Sequence, residues 1–487
     1  MTIQSIDLLT LSPTVVVALG ALLALVAELV TGRGQVAIGV GLGALVAATP
    51  LAVLASGQQT LCNGVDASCA YVVSPLAVAL QLIVLTSTAV VLLMASADVA
   101  AHTVPGGEFT FLILCSASGA VLVPATNDLV TLIVALEVVS LPTFALVALR
   151  RGEPRAAEAA LKAFIYSIVS VAVSLYGISL LYGTTGVVAF DQLAAAATLT
   201  EPTPLGTAGL VMLLAVIGFK VAAVPFHAWA PDTYQGATVP VAAYLSVVSK
   251  AAGFGALLLV TWTFAGWSEI WAPVIAVLAG LTMLVGNVVA LKQRHAVRLL
   301  AWSSIAQAGY ILVPLAAVSG SVVWGPGVTG AVIGYLVAYT AMNLGAFGVV
   351  AIVARRTGAA SLADYRGLVR RSPWLAVALA FFLASLAGLP PGLIGLLVKV
   401  RVLIVPVDAG VWWLAAVMAV ATVIGLAYYL AWAALLFRRL DTADDGGPPE
   451  QLLIGSWTST VAVAVCLALT LAFSLAPSLA LGLVDRL

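Results

Sequence analysis

The stretch LVTLIVALEVVSLPTFALVAL, residues 129 to 149, is an unbroken apolar run with a single charge, Glu137, near its middle. A helix rises about 1.5 Å per residue and a bilayer's hydrocarbon core is roughly 30 Å thick, so the run reads as one membrane crossing. Eight residues precede the carboxylate and twelve follow it, too deep to reach either surface easily. Working outward, similar runs lie at about 8 to 30, 35 to 57, 74 to 97, 109 to 126, 162 to 184, 207 to 226, 240 to 264, 271 to 291, 299 to 317, 328 to 354, 373 to 400, 411 to 436 and 454 to 482. With the first, they make fourteen crossings.

Composition agrees. Of 487 residues, 63% are hydrophobic and 8% charged, about a third of the ordinary charge content. That excludes a soluble protein and predicts an all-α polytopic membrane protein. Twenty basic and twenty acidic residues cancel, which leaves no basic surface to hold a nucleic acid by its phosphates. Cys62, Cys69, Cys115 and Cys466 contain no CxxC, so no zinc or iron–sulfur thiolate cluster is expected. The opening MTIQSIDLLTLSPT lacks a basic n-region and a small-residue cleavage site and is expected to be retained.

Lys and Arg accumulate in cytoplasmic loops, and here alternate loops hold Arg33; Arg150, Arg151, Arg155 and Lys162; Lys292, Arg294 and Arg298; Arg355, Arg356, Arg366, Arg370 and Arg371; and Arg438 and Arg439. The other side holds Arg401 and Arg486. An even number of crossings puts both termini together, and fifteen basic residues against two predicts that they lie outside. The loop TLCNGVDASC (60 to 69) is then outside too, where a Cys62–Cys69 disulfide becomes possible.

Three basic residues remain, each inside an apolar run: Lys220, Lys250 and Lys399. With Glu137 they are the buried charges. A charge at the bilayer centre costs about 3 kcal/mol on insertion scales, so such groups face a protein interior or a wetted path. Desolvation brings a lysine, unlike an arginine, within reach of neutral titration, so a buried amine can load and release a proton. A carboxylate approaching such an amine favours its protonated form, and withdrawal expels the proton. Driving one proton against about 150 to 200 mV takes roughly 3.5 to 4.6 kcal/mol, and breaking a buried ion pair yields about 3 to 5.

The local context separates these residues from plain structural charges. Lys220 precedes VAAVP (221 to 225), where proline breaks a helix and frees carbonyls. Lys250 follows Ser246 and Ser249, so a satisfied polar cluster is the alternative to a relay role. Lys399 lies beyond Pro390 and Pro391 but two residues before Arg401, which leaves a snorkelling rim lysine open. Interrupted helices at corresponding places in two halves point to a transport site. His227, in PFHAWAPD, is either a bridge between Lys220 and Lys250 or a partner for freed carbonyls. Lys162 is either an entrance group or a flank; Glu28 reads as rim, and Asp232 as a cap for the next helical turn. Ser303, Ser304, Gln307, Tyr335, Tyr339 and Asn343 either line a wetted path or bond between helices.

Five segments carry a resemblance: LEVVSLPTFALVALRR (136 to 151), EAALKAF (158 to 164), YGISLLYGTTG (176 to 186), GFKVAAVPFHAWAPDTYQGATVPVAAYLSVVSKAAGF (218 to 254) and VGNVVALKQRHAVRLLAWSSIAQAGY (285 to 310). Over about residues 110 to 400 the chain resembles the subunit N family of the bacterial proton-pumping NADH:quinone oxidoreductase, respiratory complex I. The Tyr-X-Gly at 234 to 236 favours that branch over sister subunits L and M, which usually carry histidine there. The resemblance implies an N-terminal three-helix segment (1 to 108), two inverted five-helix repeats each with one broken helix (109 to 264 and 265 to 437), and a cytoplasmic linker with a last helix (438 to 487). It implies that Glu137, Lys220, Lys250 and Lys399 form a central proton relay. It also implies that FMN, iron–sulfur clusters and quinone belong to other subunits, with subunits K and M flanking this chain and a lateral helix of subunit L across it. Location follows as the bacterial plasma membrane.

One departure stands out. The family usually sets its last lysine eight residues after the proline of a Gly-X-Pro, whereas Lys399 is nine after Pro390 and eight after Pro391. The multisubunit Mrp cation/proton antiporters look similar and would use the same lysines without a redox partner; a structural scaffold whose charges serve assembly alone is the third reading.

Overall fold

The computed structural model describes residues 6–62, 68–150, 153–199, 201–318, 324–358, 361–438 and 456–482. Arg151, Arg439 and Arg486, counted above for orientation, and the linker from 439 to 455 lie outside the described residues. The helices are α1 (Leu8–Thr31), α2 (Gly34–Leu54), α3 (Pro75–Ala100), α4 (Gly106–Ala125), α5 (Leu129–Ala148), α6 (Pro154–Thr185), α7 (Phe190–Leu199), α8 (Pro204–Val221) and α9 (Trp229–Gly236). They continue as α10 (Val239–Thr263), α11 (Ala265–Ala290), α12 (Ala296–Ala316), α13 (Pro326–Thr357), α14 (Pro373–Ala387), α15 (Leu393–Asp408), α16 (Trp412–Phe437) and α17 (Trp457–Leu475).

Thirteen of these are long and apolar enough to cross a membrane. The run from 373 to 400, expected as one crossing, is instead α14 and α15, two short helices either side of the Pro390–Pro391 break. Another boundary moved for a different reason. α6 starts at Pro154 rather than near 162, because proline suits the first helical position and the alanines of PRAAEAALK keep the helix going through charges that lower its hydropathy. Hydropathy finds the span, not the helix start.

Burial sorts the helices into layers. α12 and α13 are buried along almost their whole length and α10 nearly so, whereas α1, α6 and α17 bury one stripe and leave leucine and valine outside. The central helices therefore need no lipid-facing surface, and hold Ser303, Ser304, Gln307, Tyr335, Tyr339 and Asn343, all fully buried. Over one end of α3 lies a hairpin of β1 (Gln59–Cys62) and β2 (Cys69–Val72), antiparallel with Cys62 opposite Cys69, and these two cysteines are bonded. The polar composition of this segment predicts a loop, and two four-residue strands stand there instead.

Both expected breaks form. After Val221 the chain turns at Ala222 in the left-handed region (φ 60°) and passes Pro225 before α9. α14 ends at Gly388 (φ 86°), where glycine carries no steric penalty, and Leu-Pro-Pro-Gly leads into α15. A backbone N–H freed in hydrocarbon must find a partner, and at each break one is caught by a hydroxyl of another helix. Val224 donates to Thr282 Oγ1 on α11 at 2.9 Å, and Ile394 to Ser474 Oγ on α17 at 3.3 Å.

The second break is closed by contact between backbones: a Cβ at Gly395 would stand 1.7 Å from the Ser385 carbonyl oxygen. Gly395→Ala should therefore destabilise the fold by at least about 1 to 3 kcal/mol, the cost of overpacking. Gly183→Ala, where nothing lies within 4 Å, should be neutral or stabilising by up to about 1 kcal/mol. Thermal inactivation midpoints of the purified protein measure both.

Candidate functional site

Lys220 occupies the last turn of α8, one residue before the break, and points inward. Its Nζ donates to Glu137 Oε1 on α5 at 2.7 Å, to Ser140 Oγ at 2.7 Å and to Ser167 Oγ on α6 at 3.3 Å. All three ammonium protons thus have acceptors, the condition for keeping a charge out of water. The carboxylate is less enclosed, with 20% of its side chain exposed. It forms the floor of a 350 Å³ groove between α5 and α6 lined by Phe144, Phe164, Ile168 and Leu175.

Lys250 follows a π-helical turn, Leu245–Ser249, in α10. Such bulges displace the register and gather at functional sites. Its Nζ donates to the Ser304 carbonyl of α12 and lies 5.9 Å from the Tyr339 ring centroid. Tyr339 donates to Ser304 Oγ at 2.8 Å, and Asn343 Nδ2 to Ser246 Oγ at 2.7 Å.

Lys399 settles its own ambiguity. It is buried while Arg401 is exposed, so it does not snorkel. Its Nζ donates to the carbonyls of Leu386 (3.0 Å) and Ala387 (2.9 Å), the orphan acceptors at the α14 C-terminus, where the helix dipole also favours a cation. The added proline therefore leaves the amine within reach of the break. Gln307 Nε2 donates to the same Leu386 carbonyl at 3.3 Å and to Tyr429 Oη at 3.2 Å; Gln307 Oε1 accepts from Tyr335 at 2.6 Å. Ser303 meets Tyr429. The Lys250 and Lys399 clusters thus touch α12 at adjacent residues, Ser304 and Ser303.

The remaining candidates separate. Lys162 pairs with Glu158 (2.7 Å) and Asp232 (3.3 Å) beside a 520 Å³ cavity that also holds Arg155, Gln235 and His295. Asp232 caps nothing: it lies within α9 and bridges Lys162 to Arg298 at 2.8 Å. A local cap was the nearer expectation, but these cations, 70 and 66 residues away, hold the carboxylate instead. Burial, then the Arg298 charge, push the His295 imidazole below its ordinary value. His227 sits edge-on to Trp302 at 5.3 Å, and among the described residues it bonds to neither Lys220 nor Lys250. Glu28 accepts from the Gly107 N–H and ties α1 to α4. The sequence reading missed Ser140, Ser167, Thr282 and Tyr429. Ser140 was findable, three residues after Glu137 and so on its helix face.

The family profile described as NADH:quinone oxidoreductase/Mrp antiporter, TM, matches residues 126–425. NADH-quinone oxidoreductase subunit N 2 of Streptomyces griseus is 48% identical over 461 residues, 92% of this chain and 85% of that protein. This chain belongs to the subunit N family. A second member, from Salinispora tropica, is 44% identical over 89% of this chain and 86% of its own length. Among solved structures, a chain of respiratory complex I from Thermus thermophilus with bound aureothin superposes with a TM-score of 0.76 at 31% identity, covering 96% of this chain and 98% of that one. A chain of the Mrp complex from Dietzia superposes at 0.80 with 23% identity over 98% and 96%, a likeness of fold.

In this subunit N fold, Lys220→Met leaves Glu137 without its cation, while Lys220→Met with Glu137→Gln removes both charges. The single variant should be the less stable. Because Glu137 keeps one-fifth of its side chain exposed, the loss belongs at or below the low end of the about 3 to 5 kcal/mol for a broken buried pair. Thermal inactivation half-lives of the two variants give the comparison.

Proposed function

We propose that the chain is a proton-translocating membrane-arm subunit of an NADH:quinone oxidoreductase, driven by redox energy released in other subunits. The observation that carries this reading is the placement of three amines and one carboxylate inside the helix bundle, each amine at a helix break or bulge, in a chain of the subunit N family. Glu137 modulates the charge of Lys220, Lys250 is the central relay, and Lys399 hands protons outward. Lys162, beside the polar cavity, serves as the entrance, and His227 as a side group at the first break.

On this reading the enzyme's FMN, iron–sulfur clusters and quinone belong to partner subunits, and the absence of any CxxC supports that assignment. Subunits K and M flank the chain, with the lateral helix of subunit L across it. The domain plan is 1 to 108, then repeats over 109 to 264 and 265 to 437, then 438 to 487; one broken helix falls in each repeat. The chain sits in a bacterial plasma membrane with both termini outside. Supporting this, the Cys62–Cys69 bond lies on the N-terminal side of the membrane, two crossings along, and disulfides persist in oxidising compartments.

The test is proton pumping per NADH oxidised in reconstituted complex carrying Lys220→Ala, Lys250→Ala or Lys399→Met. Each should lower the ratio. Normal assembly with an unchanged ratio in all three would defeat the mechanism. Orientation has its own check: a membrane-impermeant reductant and thiol label applied to intact cells should modify Cys62 and Cys69, whereas labelling only in inverted vesicles reverses the topology.

A further inference from the structure

The helix α3 stands outside both proposed repeats, yet it packs against the Lys250 region. Leu80 lies against Gly255 of α10, and Met94 against Gly348 of α13. Leu80, Ser87 and Met94 are spaced by seven residues, two helical turns, so they share one face. Ser87 is therefore midway along the stripe that touches α10 and then α13. Depth can be read from the same contacts. α10 runs opposite to α3, so Lys250, five residues from Gly255, stands level with residue 85 of α3; α13 runs with α3, so Asn343, five residues from Gly348, stands level with residue 89. Ser87 falls between these levels.

Its hydroxyl is fully buried and has no hydrogen-bond partner among the described residues. The same is true of Asn343 Oδ1 and, six residues along α3 toward the hairpin, of Gln81 Oε1. Buried polar atoms are almost always paired, with water where protein supplies no partner. Gln81 Nε2 meanwhile donates to Tyr71 Oη at 3.3 Å, and Tyr71 meets the half-buried Thr14 of α1 at 3.4 Å, beneath the disulfide hairpin. The polar groups thus descend from the hairpin side of the membrane to the level of Lys250, and the charge-relay residues account for none of them.

We propose that α3 carries a second, hydrated branch of the proton path, leading from Lys250 through Ser87, Gln81 and Tyr71 to the hairpin side of the membrane. This rests on the proton-translocating function above. Protonated Lys250 gives its proton to a water held by Ser246, Asn343 and Ser87. The Ser87 and Tyr71 hydroxyls each accept one proton and pass on another, and Gln81 orients the water between them. One proton enters, one leaves, and nothing is oxidised.

The experiment compares Ser87→Ala, Gln81→Leu and Tyr71→Phe with Lys250→Ala in the whole reconstituted complex, reading protons pumped per NADH oxidised. A ratio does not depend on how much complex assembles, so a merely structural role leaves it unchanged. The expected result is a fall in the ratio for Ser87→Ala and Gln81→Leu, smaller than that for Lys250→Ala, which feeds both branches, with Ser87→Thr, which keeps the hydroxyl, restoring it. A normal ratio in Ser87→Ala and Gln81→Leu beside a reduced one in Lys250→Ala overturns the branch alone. A normal ratio in Lys250→Ala as well overturns the function on which it rests. If Gln81→Leu does not assemble, Tyr71→Phe, which removes a single oxygen, takes its place with the same two outcomes.

Discussion

A helix broken in hydrocarbon leaves carbonyls with no hydrogen to accept, and an amine in hydrocarbon leaves hydrogens with no oxygen to receive them. At the end of α14 these two deficits cancel: Lys399 donates to Leu386 and Ala387 where α14 stops. The amine stabilises the break, and the break makes a seat for the amine. Lys220 solves the same problem with a carboxylate and two serines, so only there is the positive charge balanced by a negative one. That asymmetry sets the chemistry. The Lys220 site is a full ion pair whose strength follows the carboxylate's position, whereas Lys250 and Lys399 face neutral acceptors.

Among the described residues the three amines share no direct bond, and the link between Lys250 and Lys399 runs through α12. Its Ser304 carbonyl receives Lys250, its Ser303 meets Tyr429, and its Gln307 shares the Leu386 carbonyl with Lys399. A helix buried on all sides can present polar groups in every direction, provided each has a partner. Tyr335, Tyr339 and Tyr429 supply those partners. They bring hydroxyls into the bundle's interior on rings that are otherwise apolar, which explains how so polar a network is embedded at low cost.

Much of this was legible in the sequence, for a simple reason: a charge inside an apolar run has few acceptable explanations. Glu137, Lys220, Lys250 and Lys399 could be picked out from position alone, and the prolines at 225, 390 and 391 placed both breaks. What could not be read were meetings between distant segments. Asp232 looked like a cap because its partners, Lys162 and Arg298, lie on other helices. Thr282 has nothing in its own apolar run to mark it, because the N–H it accepts from, that of Val224, lies on another segment. The hairpin at 59 to 72 hid for the opposite reason, since its strands are four residues long and too short for a periodic signal.

The partial exposure of Glu137 has a wider bearing. Lys220, Lys250 and Lys399 are sealed by this chain, but Glu137 keeps one-fifth of its side chain open to the apolar groove between α5 and α6. Between such apolar walls a charge is screened less than in water, where screening fades over about 10 Å. A unit charge brought to about 10 Å from that carboxylate, at an effective dielectric near 20, shifts its energy by roughly 1.7 kcal/mol. The carboxylate that balances Lys220 is thus, of these four charges, the one most open to an electric field from outside this chain.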